Sequence, residues 1–205
     1  DLSSRDLSKI SSVINIACGT SYHAGMVGLH YFKDLCNFNV VQLFDGAEFS
    51  DKDIPKIGST ALILLSQSGE TKDLHRCIQI GNDNNLFLLG VANVVDSLIA
   101  REVHCGCYLN AGREVGVAST KAFTSQCIIL SLMALWFSQL HNVSEFKRKQ
   151  YITDLRKLSI QVKSILQEMN EKKIDNLIEI FKNKTSNFVL GKGKSEAIAK
   201  EGSLK

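Results

Sequence analysis

No two cysteines in this chain stand at CxxC spacing, and no segment matches the phosphate-wrapping patterns GxxxxGK(S/T) or GxGxxG. The first absence argues against a paired-thiol zinc or redox site, and the second removes the main support for a nucleotide or dinucleotide ligand. No unbroken apolar run reaches the roughly 18 to 20 residues that a bilayer span requires. The longest, Cys127 to Phe137, contains Ser131 and reads as a buried helix, so no membrane segment is expected. The start, Asp1-Leu2-Ser3-Ser4-Arg5, has neither an initiator Met nor a basic region followed by an apolar core. No signal peptide is therefore expected, and the chain reads as a piece of a longer polypeptide. Its six cysteines (Cys18, Cys36, Cys77, Cys105, Cys107, Cys127) are scattered through mostly apolar surroundings, which fits reduced thiols in a cytoplasmic protein. Cys105 and Cys107 would share one face of a strand. Two thiols without further ligands make no zinc site, so both are read as core residues and no metal is expected.

What remains is a 205-residue chain with 44% hydrophobic residues, enough for one globular domain and an extension. The formal charge of +3 conceals an asymmetry. Residues 1 to 144 carry 10 basic and 13 acidic side chains, whereas residues 145 to 205 carry 14 basic and 8 acidic. Lys and Arg in the second part alternate with Glu and Asp at helical spacing and lack interleaved aromatics. A solvated helix surface is therefore expected, not a nucleic-acid partner.

The first 110 residues alternate short β-rich runs with helical segments, the pattern of a parallel sheet covered on both faces. Strands are expected at Val13–Ala17, Asn39–Leu43, Thr60–Leu65, Leu86–Val91 and Val103–Leu109, with helices near Tyr22–Leu35, Glu70–Ile80 and Val95–Arg101 between them. Right-handed crossovers then give a five-stranded, doubly wound α/β sheet whose ligand site lies at the carboxyl ends of the strands. Beyond it, a long helix is expected over Ser119–His141. The spacing of Tyr151, Leu155, Leu158, Val162 and Ile165 marks an amphipathic helix with one buried stripe, and Ile174, Leu177, Ile178 and Phe181 repeat the pattern. Phe188-Val189-Leu190 followed by Gly191-Lys192-Gly193 reads as a new strand and turn into a helix. The chain thus divides into a domain core at 1–145, a helical extension at 146–184, and the truncated start of a second α/β domain at 185–205.

The chemistry concentrates where strands turn into helices. Ser66-Gln67-Ser68-Gly69-Glu70-Thr71 follows the apolar run Ala61–Leu65 at once and leads into a helix, placing hydroxyls and unpaired backbone N–H groups around one point at the positive end of a helix dipole. That point suits a phosphate monoester. Cys18-Gly19-Thr20-Ser21 follows the first strand in the same way, and the segment from Ala111 to Lys121 enters its helix through Ser119 and Thr120. Either of the first two turns alone could be ordinary N-capping, worth about 1 kcal/mol with no ligand present. Three turns on one sheet edge favour a ligand, and hydroxyls with an amide such as Gln67 suit a small sugar phosphate. His23 and Cys18, five residues apart across a turn, are read as structural and not as a nucleophile pair.

Four strings carry a resemblance: Ala17 to Gly25, Leu65 to Thr71, Asn110-Ala111-Gly112 with Glu114 to Gln126, and Glu201-Gly202-Ser203-Leu204-Lys205. Together they resemble the sugar isomerase (SIS) half of the glutamine:fructose-6-phosphate aminotransferase family, the glucosamine-6-phosphate synthases, in order and over essentially the whole chain. Arg113 departs from the Pro or Thr usual there. The resemblance implies that Thr20, Ser21, Ser66, Gln67, Ser68 and Thr71 hold fructose 6-phosphate, with Ser66, Ser68 and Thr71 on the phosphate. It implies that Val117, Ala118 and Ser119 line the sugar, and that Lys205 with its neighbouring acid Glu201 takes part in catalysis. A glutaminase domain of the same polypeptide would supply ammonia, and the product, glucosamine 6-phosphate, would feed UDP-N-acetylglucosamine biosynthesis. The resemblance further implies a homodimer, no redox cofactor or metal, and a carboxylate base just beyond Lys205, so that the 205 residues alone would bind sugar phosphate weakly without turning it over. The alternatives are another SIS protein, either a sugar-phosphate deaminase or deglycase, or a noncatalytic sugar-phosphate-sensing regulator.

Overall fold

The computed structural model describes residues 7–116 and 118–205. Five parallel strands form one sheet: β1 (Ile10–Ala17), β2 (Val40–Asp45), β3 (Ser59–Ser66), β4 (Phe87–Ala92) and β5 (Cys105–Tyr108), in the order β2-β1-β3-β4-β5. The helices are α1 (Thr20–Leu35), α2 (Lys72–Asp83), α3 (Leu98–Glu102), α4 (Lys121–Leu140), α5 (Glu145–Glu168), α6 (Glu171–Phe181) and α7 (Lys194–Leu204).

The apolar runs of β1, β3 and β4 are continuous because both faces of the sheet are covered, so successive side chains enter two different cores. Val13, Ala17, Ala61, Ile63, Leu65, Leu89 and Val91 pack with Phe32 and Leu35 of α1 and Leu130, Met133 and Phe137 of α4. Ile14, Ile16, Leu62, Leu64 and Leu88 pack on the other face with Leu74, Cys77 and Ile78 of α2 and Ile99 of α3. The chain runs from β1 outward to β2 and then returns to β3 on the other side of β1, which makes the carboxyl ends of β1 and β3 the switch point where open α/β sheets take ligands.

Several sequence expectations need correction. Residues 188–190 form no strand: among the described residues no strand lies alongside them, and Phe188 and Leu190 are almost fully exposed. Cys107 is exposed and Cys105 only half-buried, because β5 is the edge strand of the sheet. The stripe expected along α5 is half-buried only at Tyr151 and Leu155, which pack on the α1/α4 core. Farther along, Val162 and Ile165 are exposed, as are Ile174, Leu177, Ile178 and Phe181 of α6. A 24-residue helix is about 36 Å long and outruns the core it starts on. Helix α4 proves long and apolar enough, by length and composition, to cross a membrane, but one face is buried in the core through Ala122, Leu130, Ala134 and Phe137.

Candidate functional site

The carboxyl ends of β1 and β3 carry the two hydroxyl-rich turns side by side, since these strands are neighbours. In the turn after β3, Ser66 Oγ lies 2.9 Å from Thr71 Oγ1 and accepts the Gly69 N–H at 2.9 Å, while Ser68 Oγ accepts the Glu70 N–H at 3.2 Å. Gly69 takes φ of 72°, a conformation glycine adopts without cost. Glu70 points away from the turn, and its Oε1 accepts the Leu98 N–H at 2.8 Å. Thr71 is the N-cap residue of α2, yet its hydroxyl makes no capping hydrogen bond. The Ser66 and Thr71 hydroxyls are bonded to each other, and no side chain of the turn caps α2, which leaves its electropositive end open.

The turn after β1 behaves alike. Gly19, with φ of 56° and ψ of −132°, is the N-cap of α1 and offers no side chain. Thr20 Oγ1 is buried with no hydrogen-bond partner, and Ser21 Oγ accepts from Gln126 Nε2 at 2.9 Å. With one lone pair of Ser21 taken, its own proton is left to give to a ligand. Capping therefore explains neither turn.

The third turn is different. Glu114 Oε2 accepts the Ala122 N–H and the Ser119 hydroxyl, each at 3.1 Å, so a carboxylate of the chain itself occupies the N-terminus of α4. The Ala122 amide, followed by the Ser119 hydroxyl, the Thr120 amide and Lys121, holds the Glu114 carboxyl below the usual carboxylate range against the smaller opposing effect of desolvation. A carboxyl depressed in the folded state stabilises above its unfolded pKa and ceases to do so as pH falls through the folded value. The melting-temperature gap between wild type and Glu114→Gln should thus be widest near neutrality and close as pH falls below the ordinary carboxylate range in a thermal-shift series. Of the other expected sugar-lining residues, Ala118 is half-buried beside this turn and Val117 lies outside the described residues.

Asn93, just past β4, ties the turns together: its N–H donates to Gln67 O at 3.2 Å, its Nδ2 to Gly112 O at 2.7 Å, and its Oδ1 accepts the Ala111 N–H at 2.9 Å. Sequence reading passed over Asn93 and gave Gln126 and Glu114 no role of their own, although a carboxylate five residues before Ser119 is a signal for a side-chain cap.

Helix α7 completes the edge. Glu201, only 6% exposed, places Oε2 2.7 Å from His23 Nδ1 and Oε1 3.1 Å from Lys205 Nζ. The Lys205 ammonium also donates to the Ser119 carbonyl. The structure therefore brings Glu201 and Lys205 to the first and third turns and adds His23, whereas Cys18 lies apart from His23, its Sγ 3.9 Å from Asp45 Oδ1. Burial pushes the Cys36 and Cys127 thiols up to about 12 and Cys77 to about 11, so none of these three is poised as a nucleophile near neutrality. No group of three or more His, Cys, Asp or Glu side chains is arranged to hold a metal among the described residues.

A family model for the SIS domain matches residues 6–136. Over 197 residues the chain is 47% identical to a protein of Acanthamoeba polyphaga mimivirus named a probable glutamine–fructose-6-phosphate aminotransferase (isomerizing), covering 96% of this chain and 32% of that protein. It is 36% identical over 202 residues to human glutamine–fructose-6-phosphate aminotransferase (isomerizing) 2, covering 98% of this chain and 29% of the relative. The chain thus spans about a third of the length of these curated relatives. The C-terminal domain of glucosamine-fructose-6-phosphate aminotransferase from Francisella tularensis superposes with a TM-score of 0.89 at 28% identity, over 98% of this chain and 56% of that one.

Proposed function

The chain belongs to the SIS domain family, and on that footing we propose that its carboxyl edge binds fructose 6-phosphate as part of the isomerase half of a glutamine:fructose-6-phosphate aminotransferase. The observation that carries this reading is the Ser66–Thr71 pair. Hydroxyls that could cap α2 are bonded to each other, so the uncapped amides of α2, the one remaining proton of that pair and the Ser68 proton are available to a phosphate. Ser66, Ser68 and Thr71 take the phosphate. Thr20, Ser21 and Gln67 take the sugar hydroxyls, with Ala118 and Ser119 along the far side.

In the complete polypeptide a glutaminase domain releases ammonia, which condenses with the C2 carbonyl to an imine with loss of water. A proton removed from C1 and returned at C2, with the C1 hydroxyl proton passing to the nitrogen, then gives glucosamine 6-phosphate, a precursor for UDP-N-acetylglucosamine. Lys205 supplies positive charge beside the developing enolamine, and Glu201 keeps that ammonium in place. Residues 185–205 open a second module of the same kind: Gly193 enters α7 with φ of 59° and ψ of −124°, close to the backbone of Gly19 at the start of α1. The cysteines, all free, suit the cytoplasm, and the exposed apolar residues of α5 and α6 suit burial in a homodimer.

Calorimetric titration of the chain with fructose 6-phosphate tests the reading, with inorganic phosphate as competitor and Ser66→Ala/Thr71→Ala as control. Saturable binding that phosphate displaces is expected, weakened at least about tenfold in the double variant, because hydrogen bonds to a charged group are worth about 1.5–3 kcal/mol each. A folded chain that takes up no sugar phosphate at millimolar concentration overturns it.

A further inference from the structure

Four groups from three separated parts of the chain meet at one corner of the site: His23 from the first turns of α1, Glu201 and Lys205 from the end of α7, and the Ser119 carbonyl from the turn before α4. From this juxtaposition we propose that His23 is a positioning residue, which through Glu201 holds the Lys205 ammonium against the sugar edge. The inference rests on the sugar-phosphate reading for what the lysine faces, but not for how the lysine is held.

Lysine carries its charge on a flexible four-carbon stem, and one contact would not fix it. Here two groups bracket it: the Ser119 carbonyl accepts its hydrogen bond, and Glu201 Oε1, which has no hydrogen bond of its own, pairs with it by charge at 3.1 Å. Glu201 can serve as an anchor only if it is itself fixed. A carboxylate buried this deeply needs partners for both oxygens, and His23 Nδ1 is the partner of Oε2 at 2.7 Å. Facing a carboxylate, Nδ1 must carry the proton and donate. His23 lies three residues after Thr20, so the helix places both on one face, and the turn that offers the unpartnered Thr20 hydroxyl also orients the lysine.

Without the imidazole, Oε2 loses its partner. The carboxylate then turns toward solvent, and that movement draws Nζ from the Ser119 carbonyl. Helix α7 does not depend on this contact alone: Ala197 is its other buried side chain, and Lys194 pairs with Asp34 at its far end. Displacement of the lysine is thus separable from loss of the helix.

The test measures acylation of Lys205 by a water-soluble N-hydroxysuccinimide ester, site by site by mass spectrometry, in wild type, His23→Leu and His23→Asn. Amide exchange over residues 197–200 is followed alongside. Lys205 should react at least fivefold faster in His23→Leu. In His23→Asn, whose amide nitrogen can stand near the Nδ1 position, it should stay within twofold of wild type. Exchange over 197–200 should hold within twofold in both. An unchanged Lys205 rate in His23→Leu overturns the proposal. So does a rise matched by equal loss of exchange protection over 197–200, since His23 would then only dock the helix. Fructose 6-phosphate at saturating concentration should slow Lys205 acylation in wild type. If the His23 effect appears without that protection, the positioning stands and the sugar-phosphate reading fails.

Discussion

Gly69→Ala is expected to destabilise the protein by about 3 kcal/mol and to weaken fructose 6-phosphate binding at least tenfold. Two costs add. The backbone at Gly69 sits at φ of 72°, where an L side chain costs about 1–2 kcal/mol. A Cβ there would also stand 2.0 Å from Ser97 Oγ and 2.4 Å from Ser97 Cβ. A rotamer change could move the oxygen aside but not the Cβ, so the chain before α3 must shift. That shift strains the Ile99 N–H bond to the Gly69 carbonyl at 3.0 Å and the Leu98 N–H bond to Glu70 at 2.8 Å. It also turns the Gly69 N–H away from Ser66 Oγ and so disturbs the hydroxyl pair itself. Chemical denaturation of Gly69→Ala and of Gly69→Ala/Ser97→Gly decides the matter. The second change removes the clash but not the backbone strain, so it should recover part of the stability. Equal stability of the two variants would show that Ser97 is not the obstacle.

Phe137→Ala should cost about 4 kcal/mol and lower the melting temperature by about 10 °C, a large share of a typical 5–15 kcal/mol total. Phe137 is fully buried on α4, and its ring lies edge-on to Phe32 at 6.4 Å and to Phe38 at 5.2 Å between ring centres. Truncation opens a cavity between α1, α4 and the segment leading to β2, where rigid rings cannot collapse into the space. Differential scanning calorimetry measures the shift. A fall of under 2 °C would mean that the neighbouring rings refill the site.

The sheet was legible because parallel strands buried on both faces write themselves as unbroken apolar runs, and Ala61 to Leu65 is such a run. Strand ends were less so. β1 begins three residues before Val13, where Ile10 and Ser12 pair with β3 across an irregular register that no local pattern encodes. Helix α2 begins at Lys72 and not at Glu70: Thr71 keeps extended backbone as its N-cap, and the Glu70 carboxylate accepts the amide of Leu98 that opens α3. The run Phe188–Leu190 misled because β propensity expresses itself only where another strand offers hydrogen bonds. In the site, the turns after β1 and β3 announced themselves by composition. His23 did not, since its partner Glu201 stands 178 positions away and nothing near the histidine points to it. Gln126 was hidden in the same manner, 105 positions from the Ser21 hydroxyl that it engages.

The distance along the chain between His23 and Glu201 also sets a clock. At about 5–20 residues per second, a ribosome that has made the turn after β1 needs roughly 10 to 40 seconds more to reach Glu201. Within that interval, once Thr71 has also been made, the hydroxyl turns of β1 and β3 can form while the corner that holds Lys205 is still missing. A nascent chain would thus acquire its anion-binding edge before the lysine that faces it.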